Sequence, residues 1–344
     1  MQAISCTGAN AFELVSSPLP EVGDDEVLVK VSACGICGSD KMLLEGAFFH
    51  IPTLKRPIVP GHEVVGQITK TGKDVQGTFV EGDRVVIDPL HPCEQCFHCR
   101  RGSGNHCERL GSLGWTRSGG YSNYVTTPSK SVHKISDKIS DDEATLIEPL
   151  ACAVHVMEML ELQPGAEVLV LGAGPSGLLI SQLCKVSGAS RVVLASNKGM
   201  KMDMAKNIDA AHEYLELDRS GSDADRDLQW KTLGEANPYG FDAVIECTGD
   251  MATTNKAINF VRRKGTLCLY GVYTSGQFQF PPAQLVLMEI KLVGAFSQAG
   301  AFPRAIEYME SGKINVKGMV RRFLTTDSLN YGFTTMMVVF STLR

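Results

Sequence analysis

Glu167-Val168-Leu169-Val170-Leu171-Gly172-Ala173-Gly174-Pro175-Ser176-Gly177, continued by the apolar run Leu178–Val186, is the stretch on which the fold turns. Val168–Leu171 is short, wholly apolar and closed by glycine, as a strand buried on both faces is. A lone G-x-G-x-x-G says little. Between a buried strand and a helix it marks a dinucleotide-binding turn. Gly172 allows the tight turn, Gly174 lets a pyrophosphate approach the backbone, and Gly177 lets helix and strand pack closely. The helix start at Pro175 and Ser176 offers free N–H groups and a partial positive charge to the phosphates.

Around this turn, strand-like and helix-like segments alternate. Arg191–Ala195 reads as a strand and Met200–Ile208 as a helix, and Phe241–Glu246 and Thr266–Tyr270 read as further strands. Such alternation predicts an α/β doubly wound parallel sheet over residues 155–290. Before residue 155 the chain reads differently. Glu26–Ser32, Val64–Thr69, Arg84–Asp88 and Tyr121–Thr126 are short β-rich runs between Gly, Pro and Asp turns, which predicts a strand-rich domain over 1–154. Residues 291–344, with a helix near Pro303–Ser311, are expected to return and complete that first domain.

After Arg191–Ala195 an acidic residue would hold the adenosine ribose hydroxyls of NAD. Here Ser196-Asn197-Lys198 stands in that place, with Lys201 close behind. A hydroxyl, an amide and two ammonium groups suit a 2′-phosphate, so NADP(H) is favoured over NAD(H).

Two further constellations point to metal. Cys93, Cys96, Cys99 and Cys107 lie in one polar stretch, residues 91–108, at spacings that let four thiolates converge on a tetrahedral zinc ion. From the spacing alone, such a metal either does chemistry or holds a loop. Elsewhere, Cys37-Gly38-Ser39-Asp40 and Gly61-His62-Glu63 supply a thiolate, an imidazole and a carboxylate. Three protein ligands with an open fourth position make a catalytic zinc arrangement. Leu146-Ile147-Glu148-Pro149 adds another carboxylate just ahead of the dinucleotide domain, and Cys34 is read as a packing residue.

Composition narrows the classes. At 344 residues, 44% hydrophobic and 21% charged, with a net charge of −5, the chain carries no electrostatic footprint for nucleic acid or an acidic membrane. No apolar run reaches the ~18 residues a membrane span needs. Met1–Cys6 does not read as an export leader, and eleven cysteines then predict a reducing, cytoplasmic setting rather than a disulfide framework.

Taken in order, Gly35-Ile36-Cys37-Gly38-Ser39-Asp40, Gly61-His62-Glu63, Gly82-Asp83-Arg84-Val85, the four-cysteine stretch, Gly119-Gly120-Tyr121, Glu148-Pro149-Leu150 and the glycine turn resemble the zinc-dependent medium-chain dehydrogenases. Glu63 and Glu148-Pro149 are similar to their polyol branch, the sorbitol, xylitol and arabinitol dehydrogenases. The resemblance spans roughly residues 1–333. It implies a GroES-like catalytic domain beside a Rossmann domain, and two zinc ions per chain. Cys37, His62 and Glu63 would hold the catalytic zinc, with Glu148 near it. Cys93, Cys96, Cys99 and Cys107 would hold a structural one. It further implies hydride transfer between a polyol or secondary alcohol and the nicotinamide, with a proton leaving through Ser39 and Glu148 as relay or water anchor. Dimers or tetramers are the family's habit.

Three departures qualify this. Met42 stands where the family usually has His, and Ser297-Gln298 where sorbitol dehydrogenases have Arg-Tyr, which favours a pentitol over sorbitol itself. The ending after Phe333 does not follow the family's last helix and strand. Two other readings make different predictions. A metal-free quinone or enone reductase would lack Cys37, His62 and Glu63, and a non-catalytic cofactor-binding paralogue would carry one zinc and no turnover.

Overall fold

The computed structural model describes residues 1–9, 11–46, 57–75, 77, 79–218, 220–273, 276–323 and 338–341. The chain divides into two compact units, one from 1–151, 298–311 and the described residues beyond 316, the other from 152–297 and 312–315.

The second unit is a six-stranded parallel sheet in the order Glu213–Leu217, Arg191–Asn197, Glu167–Leu171, Phe241–Glu246, Val261–Leu269, Lys291–Gly294. Val168, Leu169 and Val170 are fully buried, as a central parallel strand requires. The helix Pro175–Val186 starts with Pro in its first turn, where the missing N–H costs no hydrogen bond. Leu169, Val193, Phe241, Val244 and Leu267 form the shared core.

Lys291–Gly294 lies beyond residue 290, the boundary expected from sequence, yet it pairs in parallel with Val261–Leu269. Its half-exposed, Lys-led pattern is that of an edge strand, so it lacks the continuous apolar signal of the inner ones. The sequence reading also passed over Glu213–Leu217 and the helix Asp223–Ala236. Glu213, Asp225, Asp227, Lys231 and Glu235 face solvent, and the helix is started by a Ser222/Asp225 capping box.

In the first unit, Glu26–Gly35 is the central strand. It pairs antiparallel with Glu63–Thr71, Tyr124–Pro128 and Val338–Ser341, and Arg84–Ile87 and Val132–Lys134 extend the sheet. Val27, Val29, Val31, Ile68, Val85 and Tyr121 fill its core. Leu90–His91 and Gly111–Ser112 form a two-stranded ribbon at the root of the four-cysteine stretch. Of the divergent ending, Val338–Ser341 is a strand between Arg321–Phe323 and Glu26–Gly35, and the rest lies outside the described residues. No helix among the described residues is long and apolar enough to cross a membrane.

Candidate active site

Cys37 is the residue before the helix Gly38–Leu44, and Glu63 opens the strand Glu63–Thr71, whose partner for Glu63 is Gly35. Strand pairing therefore carries His62 and Glu63 to the end of the strand from which Cys37 departs. Ligand atoms of Cys37, His62 and Glu63 all lie within 4.8 Å of one another. His62 and Glu63 are buried and Cys37 half-buried.

Asp40, fully buried, organises this cluster. Its Oδ2 accepts the Cys37 backbone N–H (3.0 Å) and the Tyr121 hydroxyl (2.8 Å). Its Oδ1 faces His62 Nδ1 at 3.4 Å. Burial first, then the Cys37 and Glu148 charges, push the Glu63 carboxyl well above its usual range. Burial alone would lower His62, but Asp40 beside it raises the imidazole well above its ordinary value. Asp40 Oδ1, His62 Nδ1 and Glu63 Oε2 are buried without a hydrogen-bond partner. A buried set of anionic donors with unmet acceptor oxygens fits a divalent cation, because burying such charges unpaired is costly.

Ser39 is half-buried in the first turn of the Gly38–Leu44 helix, beside Met42 of the same helix. Glu148 is buried in the first turn of Ile147–Leu160; it acts on Glu63 through its charge but is not among the three converging residues. Gln298 is buried and donates from Nε2 to Asp88 Oδ1 at 3.0 Å.

Cys93, Cys96, Cys99 and Cys107 form the other convergent group, all four thiols free. Sulfur–sulfur separations of 3.5 Å for Cys96–Cys99 and 3.9 Å for Cys96–Cys107 bracket the ~3.8 Å edge of a tetrahedron with Zn–S bonds of about 2.3 Å. Cys107 Sγ accepts the backbone N–H of Cys93 (3.2 Å) and of Arg109 (3.3 Å). The Gln95 amide leads the contacts that lower the Cys93 thiol to about 6. This donor set fits zinc.

In the other unit, Gly172 has φ +107° and Gly174 precedes the helix whose first turn holds Pro175 and Ser176. A Cβ on Gly177 would sit 1.9 Å from the Gly172 carbonyl oxygen, so this helix can start here only with glycine. A cavity of about 480 Å³ opens at the end of Arg191–Asn197, lined by Asn197, Asp218, Trp230, Asp250, Thr253 and Lys256 among others. Of the four residues expected at the adenosine ribose, Asn197 lines it. Ser196 is half-buried beside it in the strand, and Lys198 and Lys201 are exposed. The sequence reading found no carboxylate here, but the fold brings three, of which Asp227 accepts from Lys256 Nζ at 2.6 Å. Asp218 follows the neighbouring strand, and Asp250 caps the helix Met251–Ala257 by accepting the Thr253 N–H (2.9 Å).

The sequence reading quoted Asp40 and Tyr121 within motifs but gave neither a role. Asp40 stands three residues after Cys37, the spacing of a capping acid, and that was its legible signal.

Comparison with known proteins agrees with this geometry. Residues 23–137 match the alcohol dehydrogenase GroES-like domain and residues 175–311 the zinc-binding dehydrogenase family. The two units and the two family models define a zinc-binding oxidoreductase with a GroES-like and a Rossmann domain. The chain is 46% identical over 310 residues to D-arabinitol dehydrogenase 1 of Uromyces fabae, covering 90% of this chain and 86% of that one. A protein of Sinorhizobium meliloti 1021 assigned as a zinc-binding dehydrogenase, solved with NADP bound, superposes with a TM-score of 0.90 at 28% identity, over 99% of both chains. A short chain alcohol dehydrogenase of Escherichia coli CFT073, complexed with NADH, gives 0.87 at 25% identity, again over 99% of both chains. The chain belongs to the zinc-dependent medium-chain dehydrogenase family, in its polyol dehydrogenase-like branch.

Proposed function

We propose that the protein oxidises a polyol or secondary alcohol to the ketose or ketone, with a pentitol such as arabinitol or xylitol favoured and NADP+ as hydride acceptor. The observation that carries this reading is the convergence of Cys37, His62 and Glu63 within 4.8 Å in a buried cluster. The 46% identity to a D-arabinitol dehydrogenase supports the substrate class.

Cys37, His62 and Glu63 would hold a zinc ion, which when bound acts as a Lewis acid that lowers the pKa of a substrate hydroxyl. A bound nicotinamide would supply the hydride acceptor. The chain's own residues do the rest. Asp40 orients His62 and the Cys37 backbone. Ser39, half-buried two residues past Cys37, passes the hydroxyl proton toward solvent, and Glu148 anchors water or relays that proton. Met42 carries no proton, so no relay runs through it. The helix start at Gly174–Gly177 holds the pyrophosphate. Cys93, Cys96, Cys99 and Cys107 would hold a second, structural zinc. The unit of residues 1–151, 298–311 and the described residues from 316 supplies the catalytic part of this scheme, and that of 152–297 and 312–315 the dinucleotide part.

The absence of a carboxylate at Ser196-Asn197-Lys198, with Lys201 nearby, supports NADP(H); Asp218, Asp227 and Asp250 are the counter-charges it must tolerate. Val286 (74% exposed) and Leu287 (79%) lie just ahead of the open edge strand Lys291–Gly294, which supports a homo-oligomer, dimer or tetramer. A cytoplasmic setting follows from the same reading. The test is a polyol and ketose panel run with NAD+ and NADP+ in parallel, on protein of measured zinc content. Two zinc ions per chain and NADP+ reduction fastest with a pentitol support the reading. A preference for NAD+ removes the cofactor part, and no turnover with any alcohol removes the whole.

A further inference from the structure

Glu246 is a charged residue that the proposed chemistry does not use. It ends the strand Phe241–Glu246 and is fully buried. That strand adjoins Glu167–Leu171 at the point where the order of successive strands reverses. In doubly wound sheets the crevice at this reversal, beyond the carboxyl ends of the strands, is where a ligand binds.

The Glu246 carboxylate is saturated by the protein. Oε1 accepts the Thr248 N–H (2.7 Å) and the Thr248 hydroxyl. Oε2 accepts the Gly249 N–H (3.1 Å) and the Tyr273 hydroxyl (2.5 Å). Its backbone carbonyl takes the Tyr270 and Gly271 N–H groups (3.0 and 2.9 Å). Tyr273 also meets the buried Thr254 hydroxyl at 3.1 Å. One residue thus ties together the segments that follow two adjacent strands.

Those segments also interlock by backbone. A Cβ on Gly271 would lie 2.2 Å from the Gly249 nitrogen, and one on Gly249 would lie 2.4 Å from the Val272 carbonyl oxygen. The assembly reaches the dinucleotide turn, since a Cβ on Gly172 would meet the Thr248 methyl at 2.8 Å and the Cys247 N–H donates to the Leu171 carbonyl (2.9 Å). A buried carboxylate with all its acceptor sites used by side chains and amides has none left to offer a ligand. It fixes geometry.

We propose that Glu246 is a positioning residue for the bound dinucleotide, holding 247–250 and 270–273 through Thr248, Gly249 and Tyr273 as one rigid wall of the crevice beside Gly172. This rests on the dinucleotide reading above. The wall acts on where the cofactor sits, so its loss raises the cofactor dissociation constant and KM and leaves the alcohol KM in place.

The experiment uses the full, zinc-loaded chain. Tyr273→Phe and Thr248→Val each remove one hydroxyl donor and keep the shape. Thr248→Ser keeps the hydroxyl and serves as the rescue, and Glu246→Gln removes the charge. NADP+ and NAD+ binding is titrated by fluorescence, steady-state kinetics separate cofactor KM, alcohol KM and kcat, and amide exchange is followed at 247–250 and 270–273. For Tyr273→Phe and Thr248→Val the expectation is about tenfold weaker cofactor binding, with faster exchange in both segments and an unchanged alcohol KM. Thr248→Ser returns to within about twofold of wild type, and Glu246→Gln weakens binding about a hundredfold. Should Glu246→Gln fail to fold, the two hydroxyl deletions decide. Wild-type-like cofactor binding by folded Tyr273→Phe and Thr248→Val overturns this inference alone. A wild-type chain that binds neither dinucleotide overturns the dinucleotide reading and this inference with it.

Discussion

The two candidate metal centres are built in opposite ways. One takes all four ligands from a single continuous stretch, Cys93–Cys107, and its Cys107 sulfur is steadied by backbone N–H groups. The other gathers Cys37 from a helix start and His62 and Glu63 from the start of a strand, and it is steadied by the buried side chains Asp40 and Tyr121. Four sulfurs close a tetrahedron and leave no position for a substrate, whereas three mixed ligands leave one. A local loop can organise the first centre, but only the folded sheet can assemble the second. The dispersed centre is therefore the one suited to chemistry, and the contiguous one to holding its own segment.

The largest effect expected from this contrast is on turnover. Cys37→Ser removes a ligand from the three-residue centre, so kcat/KM should fall by about 10^3-fold or more, since Lewis-acid stabilisation amounts to several kcal/mol. Metal analysis should show one zinc lost per chain, with unchanged circular dichroism. A variant with both zinc ions and full turnover would erase the distinction between the centres.

Cys96→Ser probes the contiguous centre and should do the reverse. It loses one zinc and lowers Tm by about 5–10 °C, because metal binding there is coupled to ordering the loop. Turnover per folded molecule should stay within about threefold of wild type. If Cys96→Ser instead abolished kcat while leaving Tm unchanged, the roles assigned to the two centres would have to be exchanged.

How much of this could be read in the sequence follows the same contrast. The glycine turn and the four cysteines were legible because each is one unbroken stretch whose spacing states its geometry. Cys37 and His62-Glu63 were legible as fragments, but their meeting depends on the pairing of Glu63 with Gly35 across two strands. The Tyr121–Asp40 hydrogen bond spans 81 residues and left no local trace. Asp218 escaped for a similar reason: it follows a strand that pairs with Arg191–Asn197 only once the sheet forms. Lys291–Gly294 was missed because an exposed edge strand has no apolar face to announce it.

The root of the contiguous centre carries a pH dependence of its own. Asp88 lies just ahead of the Leu90–His91 strand and accepts the Leu90 N–H at 2.9 Å and the Gln298 amide at 3.0 Å. Burial pushes its carboxyl from 3.8 up to about 6, against the pull of those two hydrogen bonds. The folded chain then holds more protons at this group than the unfolded chain between about pH 4 and pH 6, so its contribution to stability declines as pH rises through that window. Asp88→Asn keeps the acceptor oxygen and removes the charge. It should raise stability at pH 7 by roughly 1–2 kcal/mol, less than the full shift implies because the side chain is partly exposed. Urea midpoints at pH 4.5 and pH 7 test this, and an equal gain at both would show that the charge is not the cause.

The finest test of the comparison is Tyr121→Phe, which touches one centre and spares the other. The Tyr121 hydroxyl donates to Asp40 Oδ2 at 2.8 Å, and Asp40 in turn holds the Cys37 backbone and faces His62. Removing that hydroxyl leaves the ring packed against its neighbours but frees the carboxylate to turn. Partners of this kind, one step removed from the metal, typically tune affinity by 10–100-fold when lost. Because Tyr121 reaches the ligands only through Asp40, the low end applies, and zinc affinity of the three-residue centre should fall about tenfold. Zinc release to a chelator should then be biphasic, with the faster phase accelerated and the slower one, from the four-cysteine centre, unmoved. Acceleration of both phases together would mean that Tyr121 supports the fold of the whole unit, whereas no change in either would mean that Asp40 keeps its place without it.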